Sequence, residues 1–407
     1  MNSEVEWIGD IPNNWSKQKL KYLFDEKKST KNPSLQCGSI SFGKVIYKDD
    51  DKVPISTKES YQELLEGEFL INPLNLNYDL KSLRIGKSEI NVVVSQGYII
   101  LKLKGENIPE YFNYLLRDFD VKHMKSLGQG IRQTISYNHL KDEYLLTPPL
   151  SEQQQIVSFL DTKTSLIDSL IEKTQRKIEL LKEKRTSLIN EVVTKGLNPN
   201  VEMKDSGVEW IGKIPSHWET KKLKYLSEII YGISPPDTTY NDEGVGTLLI
   251  NGPVEYSKTD FGYTRSLKWT TEPNKFTSKG SLLFCLRGST TGRMNITHTD
   301  VSIGRGVCSI NSNENQWFLI YSMFSVRRWI QDQISGSTFP SVTSDDVNNY
   351  VICSPPIYEQ QQIVEYLDKQ TGIIDKTISI EEKRIELLKE YRQSLISEVV
   401  TGKRKVV

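Results

Sequence analysis

The strongest constraint on this 407-residue chain is that it repeats itself. Ser3-Glu-Val-Glu-Trp-Ile-Gly-Asp-Ile-Pro-Asn-Asn-Trp15 returns as Ser206-Gly-Val-Glu-Trp-Ile-Gly-Lys-Ile-Pro-Ser-His-Trp218. Both copies run on into Lys-Leu-Lys-Tyr-Leu, at 19–23 and 222–226. A second block, Pro148-Pro-Leu-Ser-Glu-Gln-Gln-Gln-Ile-Val157, returns as Pro355-Pro-Ile-Tyr-Glu-Gln-Gln-Gln-Ile-Val364, and the match extends to Glu191–Thr194 and Glu398–Thr401. One unit of about 205 residues has been used twice, so any fold proposed for one half must serve the other.

Between the matched blocks the halves diverge. Residues 25–130 and 228–337 share almost no identities, yet carry strand-like runs at comparable places. Glu68–Asn72 answers Ser281–Cys285, and Tyr98–Leu103 answers Val307–Ile310; each is short and rich in β-branched or aromatic residues. Helical patches follow at Glu110–Arg117 and Gln316–Gln333. The expected fold class is α+β: two α/β recognition domains, each large enough for its own core, separated by two long helices. The expected limits are 1–147 for the first domain, 148–196 for a central helix, 197–354 for the second domain and 355–407 for a distal helix.

The matched helices carry a heptad. Pro148-Pro149 ends the preceding structure, Ser151 with Gln154 fits a capping box, and Gly196 supplies a stop. Seam positions fall at Leu160, Thr164, Ile167, Ile171, Thr174, Ile178, Leu181, Arg185, Leu188 and Val192. They recur at Leu367, Thr371, Ile374, Ile378, Glu381, Ile385, Leu388, Arg392, Leu395 and Val399. Steps alternating four and three are those of a coiled coil. About 44 residues make a rod of roughly 65 Å that cannot bury its stripe alone. The nearest partner is the other copy, giving an intramolecular antiparallel pair with an approximate two-fold relation. End-to-end pairing would set Arg185 level with Asp368 and Arg392 level with Asp161, a partner for each costly seam charge. Two unlike domains on such a rod suit two short, different DNA sites at a fixed spacing.

Composition narrows the function. Lys+Arg and Asp+Glu are 52 each, so contact with nucleic acid would rest on locally arranged side chains rather than bulk attraction. Apolar runs such as Trp317–Tyr321 are far too short for a membrane span, and the N-terminus lacks a secretory leader. Cys37, Cys285, Cys308 and Cys353 have neither disulfide-framework nor zinc spacing. A cytoplasmic protein without membrane association is expected.

Catalytic signatures are missing. Gly38-Ser-Ile-Ser-Phe-Gly-Lys-Val45 resembles a phosphate-binding loop, but Val45 stands where a magnesium-binding hydroxyl belongs and no helix signature follows. Asn72-Pro73-Leu74-Asn75 lacks the second proline and the aromatic of an adenine-methyltransferase box. His123, His139, His217 and His298 sit singly, as structural or exposed residues do. The chain reads as a non-enzyme with no catalytic, cofactor or metal site of its own.

Base reading favours Arg and Gln in glycine-rich loops, because Arg matches guanine and Gln or Asn matches adenine with paired hydrogen bonds. In the first domain that loop holds Gln129, Arg132 and Gln133, with Lys44 and Lys48 as phosphate contacts. In the second the candidates are Arg287, Arg293 and Arg305. Trp7, Trp15, Trp210 and Trp218 read as packing anchors rather than base platforms.

Trp-Ile-Gly-x-Ile-Pro-x-x-Trp with Leu-Lys-Tyr-Leu, at 7–23 and 210–226, resembles the segment opening each half of type I restriction–modification specificity subunits. So does Pro-Pro-x-x-Glu-Gln-Gln-Gln-Ile-Val with its heptad helix ending in Glu-Val-Val-Thr, and so does the junction Gly196-Leu-Asn-Pro199 with Met203-Lys-Asp-Ser-Gly207. The resemblance implies a DNA-recognition subunit reading an asymmetric bipartite target in double-stranded DNA. It also implies two methyltransferase subunits docked on the matched helices, carrying S-adenosylmethionine, and ATP/Mg-dependent restriction/translocase subunits joining them. It assigns no base-reading residue, since the recognition loops vary most. The competing expectation is a coiled-coil protein–protein adaptor without DNA specificity.

Overall fold

The computed structural model describes residues 5, 7–74, 83–127, 134–259, 261–288, 290–334 and 341–406, without the side chains of 328 and 331–334. They divide into two compact units: Met1–Gln175 with Lys383–Val407, and Arg176–Glu382. The division falls inside both long helices, Leu150–Lys195 and Ile357–Val400.

In the first unit a four-stranded sheet runs in the order Phe24–Glu26, Ile99–Leu103, Phe69–Ile71, Ile85–Lys87, antiparallel throughout. The second unit has Ser227–Tyr231, Val307–Ser312, Leu282–Cys285, Met294–Ile296. In chain order both read first, fourth, second, third, so two regions with almost no shared identities build one topology. A helix covers each sheet, Pro109–Lys122 in one and Gln316–Ile334 in the other. The strand-like runs and helical patches expected from sequence all fall on these elements. The matched segment before each domain pairs with the strand just before its long helix: Ser16–Lys19 with Tyr144–Thr147, and Glu219–Lys222 with Val351–Ser354.

The helix seams follow the heptad, and every expected seam position is buried or half-buried. Seam threonines are tolerated because their hydroxyls donate to the carbonyl one turn back, Thr174 to Leu170 and Thr371 to Leu367, both at 2.7 Å. Pairing is antiparallel: in the second unit Arg185 meets Asp375 at 2.9 Å while Lys177 meets Glu381 at 2.5 Å. In the first unit Arg392 meets Asp168 at 2.9 Å. This corrects the expected register by one heptad, for Asp368 and Asp161 are otherwise engaged. Tyr321 donates its hydroxyl to Asp368 at 2.6 Å, and Tyr114 donates to Asp161 at 2.8 Å. Arg185 gains a second contact, its guanidinium lying 4.5 Å from the Phe261 ring centroid.

The first long helix begins at Leu150, two residues earlier than the capping-box reading, with Glu152 and Gln153 donating their backbone N–H groups to Pro149. Ser151 therefore lies inside the first turn. At the other end Gly196 stops the helix at φ 74°, its N–H donating to the Val192 carbonyl at 3.0 Å. The repeated sequence motifs are the joints that fix domain to helix. Trp15 donates its indole N–H to Glu152 at 2.8 Å, and Trp218 to Glu359 at 2.9 Å. Gln153 and Gln360 each donate to the carbonyl of the first proline of their Pro-Pro pair, at 3.0 Å. Trp7, Trp15 and Trp218 are buried, and Trp210 stacks on Trp329, so the tryptophans are packing anchors. Among the described residues, no helix is long and apolar enough to cross a membrane.

Candidate nucleic-acid interface

In the first unit, strands Gly38–Ser41 and Lys44–Tyr47 pair as a hairpin, with Ser41 opposite Lys44. The phosphate-loop-like string is thus a two-residue β-turn and not a loop opening a helix. Alternation sorts its side chains: Ile40 and Val45 pack on the core, while Lys44, Ile46 and Lys48 are exposed on the other face. The turn residues Phe42 and Gly43 both have positive φ, 46° and 74°. Its backbone is tied down: Gly43 donates to Leu83 at 3.1 Å, and the Arg117 guanidinium donates to the Gly43 carbonyl at 2.7 Å. Gly86 permits this approach, because a Cβ there would lie 2.2 Å from the Gly43 oxygen. Lys44 and Lys48 thus share a rigid, outward-facing surface. Gln129, Arg132 and Gln133 lie outside the described residues.

In the second unit the pairing of Leu282–Cys285 with Val307–Ser312 continues one residue further, where Leu286 donates to Gly306 at 2.9 Å. Arg287 and Arg305 follow directly, so both sit, exposed, at the same end of this ladder. The Arg305 backbone N–H donates to Ser234 Oγ at 3.2 Å, and Arg287 bridges to Ser341. Arg293 is placed differently. Half-buried, it donates to the Ser257 carbonyl at 2.9 Å and lies 5.9 Å from the Tyr256 ring centroid. Its guanidinium holds the 253–257 segment against the sheet, while the Arg293 carbonyl accepts the Cys285 N–H at 2.9 Å, two residues before Arg287.

Each histidine has a polar partner. His123 pairs with Glu143 and His217 with Glu359, both at 2.7 Å; His139 bonds Ser136, and His298 bonds Thr264 and Ser266. All four cysteines are buried, and burial pushes the Cys353 thiol up to about 12, which makes it an inert thiol. Burial also raises the Tyr114 and Tyr321 hydroxyls above their ordinary range, keeping them protonated donors to Asp161 and Asp368.

The family model for the type I restriction modification DNA specificity domain matches residues 8–180 and matches again at residues 215–390. The chain belongs to this family. The putative type I restriction enzyme MjaX specificity subunit of Methanocaldococcus jannaschii is 28% identical over 426 aligned positions, covering 98% of this chain and 96% of that one. The MjaVIII specificity subunit of the same organism is 27% identical over 275 positions, covering 64% and 61%. A chain from a structure of a type I R-M system, described as showing complex assembly and conformational transition, aligns with TM-score 0.76 at 19% identity, covering 97% of this chain and 100% of that one. The HsdS subunit from Thermoanaerobacter tengcongensis aligns with TM-score 0.56 at 20% identity, covering 97% and 98%. These structures share the fold.

A type I specificity subunit with two recognition domains is a non-catalytic member of its system, and the doubled motifs are its joints. The sequence marks the repeated motifs and their tryptophan anchors, but not the partners they meet, nor Tyr114, Tyr321 and the Arg117 contact beneath the hairpin. Tyr114 and Tyr321 stand 207 residues apart, at the repeat spacing of the second matched block, a single identity inside otherwise diverged helices. The hairpin had a local signal in Phe42-Gly43 between two alternating runs.

Proposed function

We propose that this subunit reads an asymmetric, bipartite sequence in double-stranded DNA, one part through each recognition domain, while its long helices carry two methyltransferase subunits. In this reading S-adenosylmethionine is held by those partners, and ATP/Mg by restriction/translocase subunits that join them in the cytoplasm. The functional division follows residues 1–147, 148–196, 197–354 and 355–407. One observation carries the reading: the same sheet topology and the same Trp–Glu, Gln–Pro and Tyr–Asp joints are built twice beneath two unrelated sets of loops. Constant joints under divergent loops are what two readers of different sequences require.

Arg287 and Arg305 are the proposed base contacts of the second domain, with Arg293 fixing the neighbouring segment. In the first, Lys44 and Lys48 contact phosphates while Gln129, Arg132 and Gln133 read bases. Arg287→Ala or Arg305→Ala should lower discrimination at one base pair by about 1–3 kcal/mol, whereas Lys44→Ala should weaken all sequences alike and flatten the salt dependence. The decisive experiment is coexpression with the partner methyltransferase, followed by sequencing of methylated DNA. Two methylated motifs at a constant separation support the reading. Complex formation without sequence preference would favour the coiled-coil adaptor instead.

A further inference from the structure

Among the described residues, two besides glycine adopt positive φ, and both are phenylalanines. Such backbone is strained for a bulky side chain and persists only where something compensates it. At Phe261 the compensation is visible. Its ring stacks on Phe324 with centroids 3.9 Å apart, lies 5.1 Å from Tyr321, and accepts the Arg185 guanidinium at 4.5 Å. At Phe42 the surroundings are solvent, for the residue is 74% exposed. It occupies the first position of a two-residue turn in which both residues have positive φ, where Asn-Gly is the relaxed choice. The residue there is strained, apolar and wet, and folding gains nothing from it.

The mount beneath the ring is rigid. Leu83, Arg117 and the missing side chain of Gly86 hold the Gly43 peptide in place. The exposed strand face beside the ring presents Lys44 and Lys48. A rigid tip bearing an aromatic wedge, with Lys44 two residues away and Lys48 past the far end of the same strand, matches a duplex, in which phosphates line the approach to a stacked base step. We propose that Phe42 inserts at a base step of the first half-site and unstacks it, with Lys44 and Lys48 on the adjoining phosphates. This deepens the DNA-reading function above and rests on it.

The test uses the full chain assembled with its methyltransferase partner. The wild-type complex first selects from a randomised duplex library. The selected duplex is then labelled with 2-aminopurine at successive positions of each half-site. Wild type should raise the fluorescence at one step, and Phe42→Trp should keep that rise. Phe42→Asn, which relaxes the turn, should abolish the rise and weaken binding at least tenfold, with a melting temperature no lower than wild type. An unchanged rise and affinity in Phe42→Asn overturns the wedge while leaving the DNA reading intact. Normal DNA binding with loss of the methyltransferase partner would make the ring a protein contact, and also overturns it. A wild-type complex that selects no sequence removes the DNA reading itself.

Discussion

Tyr114 and Tyr321 each reach from a domain helix to an aspartate of the coiled coil, and each also lies within hydrogen-bond distance of a seam threonine, Thr164 at 3.3 Å and Thr371 at 3.5 Å. Both aspartates are exposed, so each tyrosine–carboxylate bond is only partly shielded from water and contributes about 1 kcal/mol. Tyr114→Phe or Tyr321→Phe should therefore lower stability by about that amount, read as a shifted denaturation midpoint at unchanged slope. Neither loss should alter which bases are read. A second residue-scale effect concerns pH. Burial raises the Asp120 carboxyl to about 6 from 3.8, although it accepts the Arg84 backbone N–H. Its folded pKa exceeds its unfolded one, so the stability it contributes is fully present below about 3.8 and lost as pH rises through about 6. Asp118, likewise raised by burial and offset by Lys122 at 3.0 Å, acts in the same direction. Asp120→Asn should flatten stability against pH between those limits; an unaltered curve would show that Asp120 titrates normally.

The long helices show which parts of an element are legible in sequence. Their seam and the Gly196 stop follow from local rules of spacing and backbone conformation, and the structure keeps both. The register does not follow, because it is set outside the helices. Charge matching offered Asp368 and Asp161 to the seam arginines, but tyrosines from the diverged regions hold those carboxylates, and the arginines pair one heptad away. The start was misread by two residues for a related reason: the Pro149 carbonyl serves the first turn, which leaves Ser151 without a capping role. At the stop, Gly196→Ala would force a side chain to positive φ with its Cβ 3.1 Å from the Trp218 ring. The expected cost is about 1–2 kcal/mol. Thermal unfolding should report it, with the second unit melting first.

At the scale of the whole molecule, the repeat made the doubled architecture legible, while the loops that carry specificity offered no periodicity and no motif. Arg287 and Arg305 show why: their proximity depends on strand pairing between segments that nothing local connects. Modularity should be measurable. Replacing residues 228–337 with the corresponding region of another family member, keeping Tyr321 and the matched blocks, should change one half of the methylated motif and leave the other intact. The unit boundaries carry a further consequence. Leu395, Ile396, Val399 and Val400 are buried in the same core as Trp7, Tyr111 and Leu146, and Tyr111 lies within hydrogen-bond distance of the Val400 carbonyl. Residues 395–400 of the distal helix are thus a wall of a module whose other buried core residues all lie between Trp7 and Ile167. A frameshift between residues 383 and 400 would be felt around Trp7 and Tyr111, and a ribosome that has passed residue 175 has not yet made everything the first unit needs to fold.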